Sequence, residues 1–229
     1  MNTPTVALDK HSFLIASDAH ATPETLARLL DLLQDKVQYL TFLGDAVGYG
    51  TDPIPTMDMI DRFDVAIRGN HDTLALGIND SPFSLHARRT ALRHREEIGE
   101  EGLAKLARYV PTYRRGNMIL YHGTPTNENA YLLNAGDISV MLSYNPEIDL
   151  FFGGHLHIPR VAVINKKTGI IDFEEISVPV SRHDLDLERN KYVINAPSTM
   201  EGRYKIRNPG ACVLYHQSET EKTLIFQFL

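Results

Sequence analysis

The chain is 229 residues long and 43% hydrophobic, with 23 basic against 29 acidic side chains and a formal net charge of −6. That length and apolar content suit one α/β domain, residues 1–229, with a sizeable core, and no 18-residue apolar run is present to form a membrane span. The negative balance and the lack of a basic stripe argue against duplex nucleic acid as a partner, and the single cysteine, Cys212, excludes an internal disulfide.

In chain order, residues 1–10 lack a basic stretch followed by a long apolar one, so no signal peptide is expected and the cytoplasm is the expected compartment. Residues 13–16 read as a strand and run into Asp18-Ala-His20. Thr22-Pro23-Glu24 is a helix start, with a capping threonine and proline at the first helical position; Leu26, Leu29, Leu30 and Leu33 then share one face. A second strand, 39–43, ends in Gly44-Asp45. Asp52-Pro53 opens a second helix carrying Met57, Ile60 and Phe63. Residues 65–67 form a third strand before the turn-like run Gly69-Asn70-His71-Asp72. Helical segments are expected over 85–97 and 100–109, stopped by Pro111, and their position between motifs makes them a candidate cap. A strand at 118–121 delivers His122-Gly123, a helix starting at Asp137 ends before Pro146, and a strand at 150–152 precedes Gly154-His155-Leu156-His157. Two hairpins follow, 161–164 with 170–176 and 211–215 with 223–228. Cys212, inside the last of these, reads as a structural residue. Helices and strands alternating first, then mostly strands, predict two sheets face to face with helices outside.

Five strands thus end in a carboxylate, an amide or an imidazole at a tight turn, and strand C-terminal ends are where open α/β sheets bind ligands. Asp18 and His20 lie two apart, as do His155 and His157, so an extended strand end aims each pair one way. With Asp45, Asn70 and His122 there are seven candidate ligands, three oxygen and four nitrogen. Two metals sharing one bridging carboxylate would use all seven, and such a pair, about 3.5–4 Å apart, clamps the attacking and leaving oxygens of a phosphoryl displacement. His11, His94, His183 and His216 read as surface or internally satisfied residues. His86, beside Arg88 and Arg89, reads as part of a solvated helix face.

The five blocks D-x-H, G-D, G-N-H-D, H-G and G-H-x-H, in this order, resemble the calcineurin-like metallophosphoesterase superfamily. Residues 44–53, Gly-Asp-Ala-Val-Gly-Tyr-Gly-Thr-Asp-Pro, resemble its small bacterial and archaeal phosphodiesterase-like branch in particular. The similarity runs from Ser12 to about Arg203. It implies a four-layer αββα sandwich of two mixed β-sheets flanked by helices. It assigns Asp18, His20, Asp45 and His157 to one metal and Asp45, Asn70, His122 and His155 to the other, with Asp45 as the bridge. It implies that His71 binds no metal and faces the phosphoryl group or leaving oxygen, with Asp72 orienting it. The ions would be Mn, Fe, Zn, Co or Ni, holding a bridging hydroxide as nucleophile.

Two differences bear on substrate, the first from the branch and the second from other phosphatases of the superfamily. A late Asn-Pro-Gly-Ser turn is replaced by Asn195-Ala-Pro-Ser198, and Gly48 stands where many phosphatases of the superfamily carry Asp, with no Arg following. Protein serine/threonine phosphatase activity is therefore not expected, and Gly48 is expected to leave room for an ester with a second substituent. The expected substrate is a small phosphoester, a phosphodiester first. A dinucleoside polyphosphate anhydride is the alternative, and a non-enzymatic scaffold of the same fold comes behind both.

Overall fold

A computed structural model describes residues 12–78, 81–176, 180–200, 210–218 and 220–228; His11 and Arg203 lie outside them. The first sheet is built from β1 (Ser12–Ala16), β2 (Tyr39–Phe42), β3 (Val65–Ala66), β9 (Val180–Asp184), β11 (Ala211–Gln217) and β12 (Lys222–Phe228), in the order β3-β2-β1-β11-β12-β9. The second contains β4 (Tyr113–Arg115), β5 (Met118–Leu120), β6 (Leu150–Gly153), β7 (Arg160–Asn165), β8 (Ile171–Glu175) and β10 (Asn190–Asn195), in the order β4-β5-β6-β10-β7-β8. Both are mixed. β1 pairs parallel with β2 and antiparallel with β11, while β6 lies parallel between β5 and β10.

Period-two alternation sorts side chains into layers. Phe13 and Ile15 of β1 point between the sheets, where they meet Met118, Leu120, Leu150, Phe152, Ile194 and Phe226. Leu14 and Ala16 point the other way, into a core with helices α1 (Pro23–Leu33) and α2 (Pro53–Ile60). On the far side Phe151, Ile119 and Val193 pack against α5 (Ala135–Ser143). The result is the expected αββα sandwich.

Helix α1 starts as its sequence predicts, with Thr22 at the cap and Pro23 behind it, and buries Leu26, Leu29 and Leu30. Other boundaries differ for local reasons. The two segments expected over 85–97 and 100–109 are both present, together labelled α4 (Leu85–Ala107), and the chain leaves the helical region between them at Gly99, whose φ is 58°. Helix α5 is capped by Asn134, and Asp137 closes the capping box from the third helical position instead of opening the helix. A short helix, α3 (Asn70–Leu76), begins inside the run that reads as a turn, because Asp72 can accept from the Gly69 N–H at the cap.

Phe152 is fully buried between the sheets. Phe152→Ala should cost about 3–5 kcal/mol in urea unfolding through the cavity it leaves. Val140→Ala, at an exposed position of α5, should stay within about 0.5 kcal/mol.

Candidate metal centre

Five parallel strands, three from one sheet and two from the other, end on the same side, and each passes its chain into a short loop. Asp18 and His20 follow β1, Asp45 follows β2, Asn70 follows β3, His122 follows β5, and His155 and His157 follow β6. Main-chain bonds lace the loops together: the Asp18 N–H donates to Gly44 O at 2.9 Å, His20 N–H to Asp45 O at 2.9 Å, and Gly154 N–H to His122 O at 3.0 Å. Ser198 and Thr199 close the ring from behind, with Ser198 Oγ donating to Asp18 O at 2.7 Å and Thr199 N–H to Ser17 O at 2.9 Å.

The structure brings all seven candidate ligands together in two groups. Asp18, His20, Asp45 and His157 have ligand atoms within 4.8 Å of one another, as do Asp45, His122 and His155. Asn70 joins the second group, its Oδ1 lying 3.1 Å from His122 Nε2. Asp45 is common to both: its Oδ2 is 3.7 Å from His20 Nε2 and 3.3 Å from His122 Nε2. Its Oδ1 accepts from the His71 N–H at 2.9 Å. In the first group His157 Nε2 sits 2.9 Å from Asp18 Oδ1 and 3.1 Å from His20 Nε2.

The way these groups are aimed differs from the expectation of extended strand ends. Asp18 (φ 54°), His20 (47°), Asp45 (61°), His155 (70°) and His157 (61°) all have left-handed backbones, which L-residues adopt at a cost. A turn of this hand lets consecutive loops approach closely. Gly69 permits it, since a Cβ there would stand 2.2 Å from Asp45 Oδ1 and 2.3 Å from Asp45 N.

The donor set fits divalent metal. His20 Nδ1 lies 3.1 Å from Val47 O and His122 Nδ1 2.7 Å from Leu43 O, so both hold their proton on Nδ1 and turn the Nε2 lone pair inward, as metal-ligating histidines do. His155 Nε2 is buried with no hydrogen-bond partner among the described residues. A cation satisfies such crowded lone pairs where protein donors are lacking. The charges agree. Burial pushes Asp45 up, but His122 and His71 outweigh it and hold the carboxyl well below its usual range. Asp18 is lowered against burial in the same way by His157. Burial also works against a proton on His122, yet with no ion between them the carboxylates of Asp45 and Asp18 push this imidazole up to about 10.

Asp72, expected to orient His71, makes its hydrogen bonds to main chain. Its two oxygens accept from four main-chain N–H groups: Asp45 at 2.9 Å, Ala46 at 3.0 Å, Val47 at 3.2 Å and Gly69 at 2.9 Å. This carboxylate organises the loop that carries Asp45 instead. The sequence shows Asp next to His but not where the unpaired N–H groups of a distant loop will lie.

Gly48 also has a different part from the expected one. The space above it is filled by His71, whose Nδ1 would be 2.2 Å from a Cβ at this position. Gly48 therefore makes room for the imidazole. Around the ligands stand aromatic rings: Tyr49, within the 44–53 block, 4.7 Å from both His20 and His71; and, outside the motifs, Phe83, 5.4 Å from His71, and Tyr131, stacked at 4.0 Å on His155. His86 is exposed and lies 5.9 Å from Tyr49. His94 is buried and bonded to main chain, His183 lies 2.7 Å from Ser181 Oγ, and His216 lies 3.1 Å from Ser12 Oγ.

A sequence model described as calcineurin-like phosphoesterase matches residues 11–159. An uncharacterized protein of Methanocaldococcus jannaschii is 26% identical over 212 residues, 89% of this chain and 82% of its own. The crystal structure of a metallophosphoesterase from Sphaerobacter thermophilus superposes with a TM-score of 0.75 at 21% identity, covering 96% of this chain and 88% of that one. A hypothetical protein from Pyrococcus horikoshii OT3 gives 0.57 at 14% identity, over 72% of this chain and 88% of its own. These two structural likenesses speak for the fold alone.

Asp72→Ala should strand four buried N–H groups. Urea unfolding of the metal-free protein should show a loss above about 2 kcal/mol. Unchanged stability together with a fall in kcat would return Asp72 to the role of orienting His71.

Proposed function

We propose that this chain, which belongs to the calcineurin-like phosphoesterase family, is a dimetal-dependent hydrolase of small phosphoesters, and of phosphodiesters in particular. The observation that carries the dimetal reading is the pair of ligand groups sharing Asp45. Asp18, His20, Asp45 and His157 would hold one ion; Asp45, Asn70, His122 and His155 would hold the other. When bound, the ions polarise phosphoryl oxygens and lower the pKa of an attacking water. Oxygen and imidazole ligands suit Mn, Fe, Zn, Co or Ni.

The chain's own residues supply the rest. Val47 and Leu43 carbonyls fix the tautomers of His20 and His122. Asp72 fixes the Asp45 loop, so that one carboxylate can face both ligand groups. His71, beside the ligands but outside both groups, donates a proton to the leaving oxygen or hydrogen-bonds its developing charge. The diester preference is supported by the resemblance of residues 44–53 to the phosphodiesterase-like branch. It is supported also by the aromatic rim of Tyr49, Phe83 and Tyr131, which suits an ester substituent better than a second negative charge. We read residues 1–229 as one catalytic domain acting in the cytoplasm. Among the described residues no helix is long and apolar enough to cross a membrane.

Chelated protein should be nearly inactive and recover with Mn²⁺. Asp45→Asn should lower the affinity of both metals together in elemental analysis; two ions held as tightly as in the parent would refute the shared carboxylate. With Mn²⁺, kcat/KM for bis-p-nitrophenyl phosphate should at least equal that for p-nitrophenyl phosphate. Turnover of monoesters or dinucleoside polyphosphates with no diester hydrolysed would remove the diester assignment and leave the metal site standing.

His71→Ala should keep both metals yet lose about 10²–10⁴ in kcat with poor leaving groups. The loss should shrink with p-nitrophenolate, which barely needs a proton. Equal losses across leaving groups would count against the proton-donor role.

A further inference from the structure

Among the described residues no hydrogen bond to His71 Nδ1 sets the angle of the ring: this nitrogen is buried without a partner, and the adjacent carboxylate of Asp72 is committed to main-chain N–H groups. The ring is held by packing. Gly48 lies directly beneath it, the Tyr49 ring stands 4.7 Å away, and the Phe83 ring meets it edge-on at 5.4 Å and 81°.

Two of these three contacts come from one segment, residues 48–50, and that segment does not favour its own shape. Gly48 and Tyr49 have φ of 92° and 54°, and a left-handed tyrosine persists only when its surroundings enforce it. The enforcing element is α4. The Gly48 N–H donates to His94 Nδ1 at 3.0 Å, and the Tyr49 N–H donates to Thr90 Oγ1 at 3.2 Å. Since His94 Nδ1 accepts, its proton lies on Nε2, which faces Gly50 O at 3.1 Å. Arg93 Nη2 donates to the same carbonyl at 2.9 Å. Thr90 and His94 are four apart, on one buried face of the helix, and grip consecutive main-chain groups of the segment.

We infer that His94, together with Thr90, is a positioning residue for His71: α4 holds the 48–50 segment, and that segment holds the imidazole at the angle from which it serves the leaving oxygen. The inference rests on the reading of His71 given under the proposed function. A helix that merely anchors itself through these bonds would have another signature, namely lower stability and equal loss with every substrate.

The test uses the dimetal-loaded chain with His94→Ala, His94→Asn, Thr90→Val, His71→Ala and the double variant His71→Ala/His94→Ala. Metal content is measured for each. Substrates are bis-p-nitrophenyl phosphate and methyl phenyl phosphate, a diester with a poorer leaving group. His94→Ala should retain two metals and an unchanged KM while losing about tenfold or more in kcat on the phenyl ester and much less on the nitrophenyl ester. His94→Asn, whose Oδ1 can accept from the Gly48 N–H, should recover most of that loss. In the double variant His94→Ala should add nothing to His71→Ala, as two changes acting through one group do. In the metal-free protein the His71 Cε1–H resonance should move in both His94→Ala and Thr90→Val.

Equal losses for both leaving groups, additive losses in the double variant, or an unmoved His71 resonance would overturn the positioning role and leave His71 in place. If His71→Ala itself showed no dependence on the leaving group, the parent reading would have failed and this inference with it. Should His94→Ala not fold, Thr90→Val carries the same comparison, since it removes one acceptor at nearly constant volume.

Discussion

One carboxylate organises the centre of this molecule. Asp45 faces imidazoles from both sheets with one oxygen and the α3 main chain with the other. For that to happen the ends of β1, β2, β3, β5 and β6 must meet within a few ångströms. The two sheets must therefore be locked at this edge, by apolar contacts between their inner faces and by main-chain bonds between their loops. A slip of one residue in the pairing of β1 with β2 would turn Leu14 into the space of Ile15 and lift Asp18 away from Asp45. Register, core and ligand geometry are thus a single constraint.

Meeting it has a cost in backbone conformation. Five ligand-bearing residues and Tyr49 occupy the left-handed region, at about 1–2 kcal/mol each for L-residues. Summed, that is comparable with the net stability of a whole domain. Such a loop set exists only because the flanking strands are buried and the loops are hydrogen-bonded to one another and to Asp72. It is an arrangement made by the rest of the fold and not by local preference.

This is also why the sequence reveals some parts and not others. Asp18, His20, Asp45, Asn70, His122, His155 and His157 are legible because ligand chemistry is carried by residue type, and apolar runs show that each follows a strand. The layers are legible because alternation along β1 and the leucines of α1 mark buried faces. The left-handed turns are not, since Asp and His do not announce them as glycine would. Helix α3 hides because Gly69, Asn70 and Asp72 are also good turn formers. The short edge strands β4 and β9, and β10 between β6 and β7, have no distinctive run of their own. The grip of Thr90 and His94 on residues 48–50 is invisible because it joins a polar helix face to main-chain groups more than 40 positions away.

The pairing of β1 has a consequence in time. Three of the five ligand-bearing loops hang from the sheet that β1 shares with β11 and β12, and Ser12 finds its partner in His216, 204 positions later. Contacts of such long sequence separation are slow to form. During synthesis every proposed ligand is made before the strands β11 and β12 of the first sheet. Until residue 217 is made, that half of the site hangs on an unpaired sheet edge, a state prone to wrong partners. The ligand groups can therefore come together only after the last strands have joined the sheet.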